Sequence, residues 1–228
     1  MSSMDRRGAP DPAGTVAVVF SSEISRYSRM FATLNDLDTP GGSVKTFWWG
    51  ARCQALNDAV EAALKTDSYW IWFINEDYGF NKDILTNLIS RNVPMVSPIS
   101  VDSYEPFLPT AWIDVSEDGT TSPLLLNQVT GPSSLIEVRG ASVTGMLVRR
   151  AVFEAMGAPW FRVTEEVPED LYFCQRAVEL GFQPYVDTES RLSTLSVAAI
   201  TPRHKGDRWE LGVDVGEDMH FTQTLKQR

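Results

Sequence analysis

The stretch YWIWFI, residues 69–74, is apolar or aromatic at every position, and Asn75, Glu76 and Asp77 follow it directly. A short apolar run rich in aromatic and β-branched residues predicts a strand that is buried on both faces, near the centre of a parallel sheet. In an open α/β sheet, ligands bind beyond the carboxyl ends of the strands. The polar triplet is therefore the first candidate for a functional site.

Strand and helix signals alternate around this stretch. Residues 15–20 (TVAVVF), 43–49 and 94–99 are predicted as further strands. Residues 52–65 carry apolar side chains at helical spacing, and Asn81 can cap the helix that follows it. This order predicts an α/β fold with a mixed, mainly parallel sheet flanked by helices.

The second half of the chain has shorter strand signals. Its strand-like pieces are residues 111–115, 124–129, 134–138, 143–148, 183–186 and 195–200. Pro168 begins a predicted helix that Gly181 ends. Because there is no repeat and no linker, we predict a single domain over residues 15–213, between a disordered N-terminal tail (1–14) and a C-terminal tail (214–228).

Composition argues against some classes of protein. The formal net charge of −10 argues against a basic surface that holds nucleic acid. No run of about eighteen apolar residues is present, so we expect no membrane span. The first residues have no apolar core of a signal peptide, and the two cysteines, Cys53 and Cys174, are predicted to be buried thiols. These features together predict a soluble, cytoplasmic protein.

Acidic residues mark two candidate sites. Glu76 and Asp77 at the end of the apolar strand can hold a divalent cation that neutralises a diphosphate, but such residues are also typical of a solvated turn. Glu169 and Asp170 follow Pro168 at a helix start, where acids stabilise the helix dipole. A carboxylate there can also act as a general base towards an acceptor hydroxyl, and residues 165 and 166, both Glu, compete for that role.

Two further features remain open between a ligand site and plain structure. Gly140 and Gly145 flank a predicted strand, where glycine allows either close approach of a ligand or a turn. Trp160 and Phe161 can form an aromatic platform for a sugar ring or pack in the core.

Two blocks of the sequence resemble glycosyltransferases of the GT-A type. In residues 56–98 a helix, an apolar strand, an acidic triplet and a second helix follow in the order of the family's donor half. Residues 145–161 (GMLVRRAVFEAMGAPWF) and 169–182 (EDLYFCQRAVELGF) are similar to its acceptor half. The likeness covers about residues 15–202 and is closest to small stand-alone, family-2-like members from bacteria or phages. It implies a GT-A (Rossmann-like) fold.

The resemblance implies roles for particular residues. Asp77 matches the last acid of the family's D-x-D-type triplet, which contacts the metal ion (Mn²⁺ or Mg²⁺) and the donor diphosphate. Asp170 matches the catalytic base of inverting members, with Glu169 beside it. The remaining donor-side candidates are Ser21, Ser22, Asn57, Asp58, Asn75, Glu76 and Gly145, and Trp160 is the acceptor-side candidate.

The sequence departs from the family at the metal site. Asn75 replaces the usual first Asp of the triplet, which removes a negative charge and weakens cation binding. Residues 191–195, RLSTL, contain no histidine where many relatives have a metal-binding one. The implied divalent cation is therefore bound weakly or not required.

The resemblance implies a hexosyltransferase-like enzyme that transfers a sugar from a nucleotide-sugar donor, a UDP-sugar, to an acceptor hydroxyl with inversion. A catalytically degenerate nucleotide-sugar binding protein is the alternative. A sugar nucleotidyltransferase ranks last, because it needs a basic Gly-rich loop where this chain has Ser21, Ser22 and Glu23. The sequence leaves open the acceptor (protein, glycan, lipid or modified nucleic acid) and the oligomeric state.

Overall fold

The computed structural model describes residues 12–20, 28–103, 106–116, 120–129, 135–164, 167–196, 198–205, 208–215 and 219–224. The helices in this part of the chain are α1 (Ser28–Asp36), α2 (Arg52–Leu64), α3 (Ile84–Ser90), α4 (Arg150–Met156) and α5 (Glu169–Glu179). None of them is long and apolar enough to cross a membrane.

The strands of the described residues are β1 (Thr15–Phe20), β2 (Val44–Trp49), β3 (Trp70–Asn75), β4 (Tyr78–Gly79), β5 (Met95–Ile99), β6 (Ala111–Val115), β7 (Thr121–Pro123), β8 (Leu135–Glu137), β9 (Gly140–Ala141), β10 (Leu147–Arg149), β11 (Pro184–Arg191), β12 (Ser193–Thr194), β13 (Ala198–Lys205), β14 (Arg208–Val215) and β15 (Met219–Thr224).

A seven-stranded sheet with the order β2-β1-β3-β10-β5-β11-β8 forms the centre of the fold. Strand β1 pairs in parallel with β2 and β3, and β11 pairs in parallel with β5. Strands β10 and β8 are antiparallel to their neighbours. Five of these seven strands therefore run in one direction, and their carboxyl ends meet at one edge of the sheet, which we call the carboxyl edge.

Helices cover both faces of this sheet. The side chains of β3 alternate: Phe73 packs in a core with α2, α4 and α5, whereas Trp72 packs in a second core with α1 and α3. Both side chains are fully buried. A strand with a core on each face must be apolar throughout, which explains the sequence of residues 69–74.

The structure differs from the predicted elements at two internal places. In residues 124–129, predicted as a strand, Leu126–Gln128 forms one 3₁₀ turn, and the preceding Thr121–Pro123 is the strand instead. Leu124 is buried but Leu125 and Leu126 are exposed, so this apolar run does not have the alternating burial of a strand. The strand predicted over residues 143–148 begins only at Leu147, because Gly145 makes a turn with φ of 113°.

At the C-terminal end the structure has strands within the predicted tail. Strand β14 continues to Val215, and β15 follows within the predicted C-terminal tail, so that β13, β14 and β15 form a three-stranded antiparallel sheet. Residues 1–11 of the predicted N-terminal tail lie outside the described residues. Pro12 at its end accepts a hydrogen bond from the Trp70 indole, 2.7 Å long.

Candidate functional site

The triplet Asn75, Glu76 and Asp77 lies at the carboxyl edge, as predicted, because Asn75 is the last residue of β3. The Asn75 side-chain oxygen accepts the backbone N–H of Glu76 at 3.0 Å, which closes a local turn. Glu76 is buried, with 3% of its surface exposed. The triplet therefore forms the strand end and the turn after it, and Glu76 is the buried member.

The Asp77 carboxyl group has one buried oxygen atom, Oδ1, without a hydrogen-bond partner among the described residues. Burial, followed by the charge of Glu76, raises the pKa of Asp77 to about 6, against the opposing influence of its own backbone N–H and of Arg52. An unpaired buried carboxyl oxygen is costly, so it marks a position that a ligand can satisfy.

Glu169 and Asp170 form the first turn of α5, and both are buried although they are acidic. The reason is Arg52, the first residue of α2. Its Nη2 donates to both carboxylate oxygens of Asp170 at 3.0 Å, and its Nη1 donates to Glu169. One guanidinium thus bridges two carboxylates from a helix more than a hundred residues away in the sequence.

This ion pair sets the protonation of its members. Burial raises the pKa of Asp170, and the charge and hydrogen bonds of Arg52 partly oppose that rise. For Arg52, burial disfavours the charged form, but Asp170 and Glu169 outweigh it and raise the pKa of the guanidinium further. Arg52 therefore remains a cation at the site.

A chain of hydroxyl groups extends from Asp170. Ser142 Oγ donates to Asp170 Oδ2 at 3.2 Å, and it lies 3.1 Å from Thr144 Oγ1. The Tyr78 hydroxyl interacts with the side chains of Thr144 and Ser100, and burial, followed by the charge of Asp77, raises the pKa of Tyr78 to about 12. Tyr78 therefore keeps its proton and can both donate and accept a hydrogen bond.

These contacts bring Asp77 and Asp170 to the same part of the molecule. Each carboxylate interacts electrostatically with Arg52, and each also interacts with Tyr78. Asp77 and Asp170 therefore both lie within electrostatic range of one guanidinium.

A cavity of about 320 Å³ opens at the carboxyl ends of β5 and β11. Its lining includes Ser100, the last member of the hydroxyl chain, the aliphatic side chains of Ile99, Leu126 and Val129, and Arg191.

Two of the other predicted donor-side residues have structural contacts. The Asn57 amide donates to the carbonyls of Cys53 and Phe161 and accepts the backbone N–H groups of Trp160 and Phe161. All four contacts lie between 2.8 and 3.2 Å, so this side chain holds the backbone after α4. Asp58, one residue on, accepts a hydrogen bond from Gln54 on its own helix. Nucleotide binding by this pair stays a prediction.

Gly145 and Trp160 are both buried. Gly145 donates its N–H to the Phe73 carbonyl, and a Cβ there would lie 2.7 Å from Leu192, so this glycine serves a tight turn against β3. Trp160 is 7% exposed, and its indole N–H donates to the Phe153 carbonyl. The prediction of an aromatic platform at Trp160 is therefore not supported, because its ring packs in the core. Ser21 and Ser22 lie outside the described residues.

The described residues do not form a metal site of their own. The described part of the chain contains no group of three His, Cys, Asp or Glu side chains that could hold a metal ion. The segment in which many relatives carry the metal-binding histidine does reach Asp77, since the Leu195 N–H donates to the Asp77 carbonyl at 2.6 Å. Leu195 offers no ligand, and Asp170 and Glu169 are occupied by Arg52. Asp77 is left as a single carboxylate, which is too few oxygen ligands for a protein-built Mg²⁺ or Mn²⁺ site.

The sequence analysis missed Arg52, Tyr78, Ser100, Ser142 and Thr144. Arg52 follows the carboxyl end of β2, so the rule that singled out Asp77 could also have found it. The hydroxyl residues carry no local signal, because Ser and Thr are common in turns.

Comparisons with known proteins bear on the fold. No family model matches the chain, and no curated protein sequence matches it. Among solved structures, A197 from STIV is similar with a TM-score of 0.57 and 12% identity, over 93% of this chain and 95% of that one. GalNAc-T7, solved with UDP, GalNAc and Mn²⁺, is similar with a TM-score of 0.58 and 9% identity, over 81% of this chain and 43% of that one.

At these identities the likeness concerns the fold alone. The predicted fold class is confirmed: a mixed α/β domain whose mainly parallel seven-stranded sheet is flanked by helices has a GT-A glycosyltransferase as a structural neighbour. Membership of a bacterial or phage group of small GT-A enzymes stays a prediction.

Proposed function

We propose that this protein is an inverting glycosyltransferase that transfers a sugar from a UDP-sugar to an acceptor hydroxyl, with Asp170 as the general base. The observation that carries the proposal is the shared guanidinium. Asp77 and Asp170 interact with the same Arg52 at the edge of the sheet where ligands of open α/β folds bind. GalNAc-T7, which has a similar fold, was solved with UDP and GalNAc.

In the proposed reaction the acceptor oxygen attacks the anomeric carbon of the donor. The bond between that carbon and the diphosphate oxygen breaks, and its electron pair leaves with UDP. The acceptor proton passes to the Asp170 carboxylate. Arg52 is the cation placed to stabilise the negative charge on the leaving diphosphate, as preorganised donors do in other transferases.

The test combines binding and turnover. We expect UDP to bind in calorimetry and at least one nucleotide sugar in a labelled panel to be hydrolysed or transferred. Asp170→Asn should lower turnover by about 100-fold or more while UDP affinity stays within about threefold, since the base acts only in the chemical step. Asp67→Asn is the matched control, because Asp67 is exposed in the turn after α2. Absence of both UDP binding and turnover, with and without Mn²⁺, contradicts the proposal.

The same contacts favour a second candidate. Arg52 engages both carboxylates of α5, and the described residues contain no three-ligand metal group. A protein that binds nucleotide sugars without turning them over is compatible with such a closed ion pair. Tight UDP binding with no turnover of any donor in the panel supports this candidate over the enzyme.

A further inference from the structure

The carboxylate of the proposed base, Asp170, is buried, and its oxygens are occupied by hydrogen bonds within the protein. Asp170 is 7% exposed, and Arg52 donates to both of its oxygens. Ser142 donates to Oδ2, and the backbone N–H of Val143 adds another hydrogen bond. An acceptor cannot contact this carboxylate while these bonds are in place, so a proton reaches it through one of its partners. Ser142 is the partner with a hydroxyl group that can pass a proton on.

The hydroxyl chain continues from Ser142 towards Ser100. Ser142 lies 3.1 Å from Thr144, and the Tyr78 hydroxyl interacts with the side chains of both Thr144 and Ser100. Ser100 also shares a hydrogen bond with Thr110 at 2.5 Å. The four residues from Ser142 to Ser100 in this chain are all buried, each with 8% or less of its surface exposed. Each hydroxyl can donate to the next and accept from the previous one, which is the requirement for proton relay.

The far end of the chain opens into space. Ser100 lines the cavity of about 320 Å³ at the ends of β5 and β11, so the relay joins a buried carboxylate to a cavity wall. That volume lies in the range of small-molecule sites and suits a molecule of monosaccharide size. A hydroxyl group placed in the cavity can hydrogen-bond to Ser100.

We propose that this cavity binds the acceptor alcohol and that Ser100, Tyr78, Thr144 and Ser142 relay the acceptor's proton to Asp170. The proposal rests on the proposed function and extends it to the acceptor side. As the acceptor oxygen attacks, its proton moves to Ser100. Each hydroxyl then passes its own proton along the chain, and Ser142 delivers one to Asp170. The carboxylate becomes a carboxylic acid, and no hydroxyl gains or loses a proton overall.

The cavity wall indicates the class of acceptor. Leu126 and Val129 present aliphatic surface, and the Arg191 side chain is exposed at the rim. Arg191 forms no ion pair with the other residues that the structure describes. A wall of this kind fits an alcohol with an apolar face and an anionic group that pairs with the guanidinium.

Kinetics on relay variants test the proton path. Tyr78→Phe and Thr144→Val each remove one hydroxyl from the middle of the chain with little change in shape. We expect each to lower kcat by about 100-fold, the usual scale of general base catalysis, with UDP affinity unchanged within about threefold. A curved dependence of kcat on the D₂O fraction in the wild type reports that several protons move. The matched control is Tyr185→Phe, at the opposite end of β11.

The outcomes separate the two proposals. Absence of UDP binding and of donor turnover in the wild type overturns the proposed function. Turnover in the wild type that Tyr78→Phe and Thr144→Val leave within about threefold overturns the relay while the glycosyltransferase stands. Circular dichroism and thermal melting of each variant establish that it is folded.

Two probes test the acceptor class. p-Nitrophenyl β-D-glucoside and p-nitrophenyl β-D-glucuronide share the apolar group and the ring and differ by one carboxylate. We expect the glucuronide to bind about tenfold more tightly in the presence of UDP, and Arg191→Gln to remove the difference. Equal affinities, no binding of either probe, or an unchanged ratio in Arg191→Gln overturns this acceptor assignment.

Discussion

Removal of the Arg52 guanidinium should destabilise the protein in a strongly pH-dependent way. Glu169 and Asp170 are 8% and 7% exposed, and Arg52 donates to both of them. Arg52→Gln leaves two buried carboxylates without their cation. Breaking a buried ion pair by removing one partner costs about 3–5 kcal/mol. Because the Arg52 side chain is 35% exposed, we expect the lower value, about 3 kcal/mol at pH 8.

The pH dependence follows from the direction of the pKa shift. Burial raises the pKa of Asp170 and Arg52 opposes that rise, so the pKa rises further in the variant. The folded variant then binds this proton more tightly than the unfolded chain, in which Asp titrates near pH 4. Its unfolding free energy therefore falls as pH increases from about 4 through the folded pKa. The penalty should be smaller at pH 5 than at pH 8.

Urea unfolding followed by circular dichroism at pH 5 and pH 8 measures both quantities. Arg149→Gln, which removes a surface arginine bonded to Asn92, should change stability by only about 0.5 kcal/mol. Adding Asp170→Asn to Arg52→Gln should recover part of the loss, because one of the unpaired charges disappears. A loss below about 1 kcal/mol at pH 8, or an equal loss at both pH values, refutes the view that Arg52 compensates these buried acids.

Two more predictions concern single side chains. Because burial raises the pKa of Asp77 to about 6, the folded state loses stability as Asp77 ionises between pH 4 and 6. Asp77→Asn should therefore raise the unfolding free energy by up to about 3 kcal/mol at pH 8 and by little at pH 4. Equal effects at the two pH values contradict this prediction. Asn57→Ala removes four hydrogen bonds that hold the backbone at Trp160 and Phe161 and should cost about 2–3 kcal/mol in urea unfolding, whereas the exposed Asn35→Ala should cost far less.

The fold was predictable where local pattern and burial agree. Residues 69–74 are apolar at every position because β3 has a core on each face. Helix α2 could be predicted because Leu56 and Val60 recur at helical spacing on its buried side. The antiparallel placement of β10 was not predictable, since periodicity gives a strand but not its direction. The strand β15 was missed because residues 214–228 are polar and charged, and its pairing with β14 depends on the partner and not on its own sequence.

The site was predictable only in part, for a related reason. Asp77 and Asp170 stand directly at a strand end and a helix start, so their positions follow from local sequence. Arg52 meets Asp170 across 118 positions, and no local pattern encodes that contact. For Trp160 the local pattern is present but has two meanings. An aromatic platform for a ligand and an aromatic residue of the core have the same sequence signature, and only the fold distinguishes them.

The balance of charge at the carboxyl edge connects these observations to function. Asp77, Glu169 and Asp170 each interact with the Arg52 guanidinium, and Glu76 interacts with Asp77, so acids outnumber this cation. A diphosphate brought to such a place meets repulsion unless some of the acids are neutralised. Burial supplies a route, because it raises the pKa of both Asp77 and Asp170 and so favours their protonated forms. The proposed base and the donor diphosphate then depend on the same group. Arg52 donates to both oxygens of Asp170 and is the cation whose charge acts on Asp77, so both halves of the proposed reaction involve this arginine.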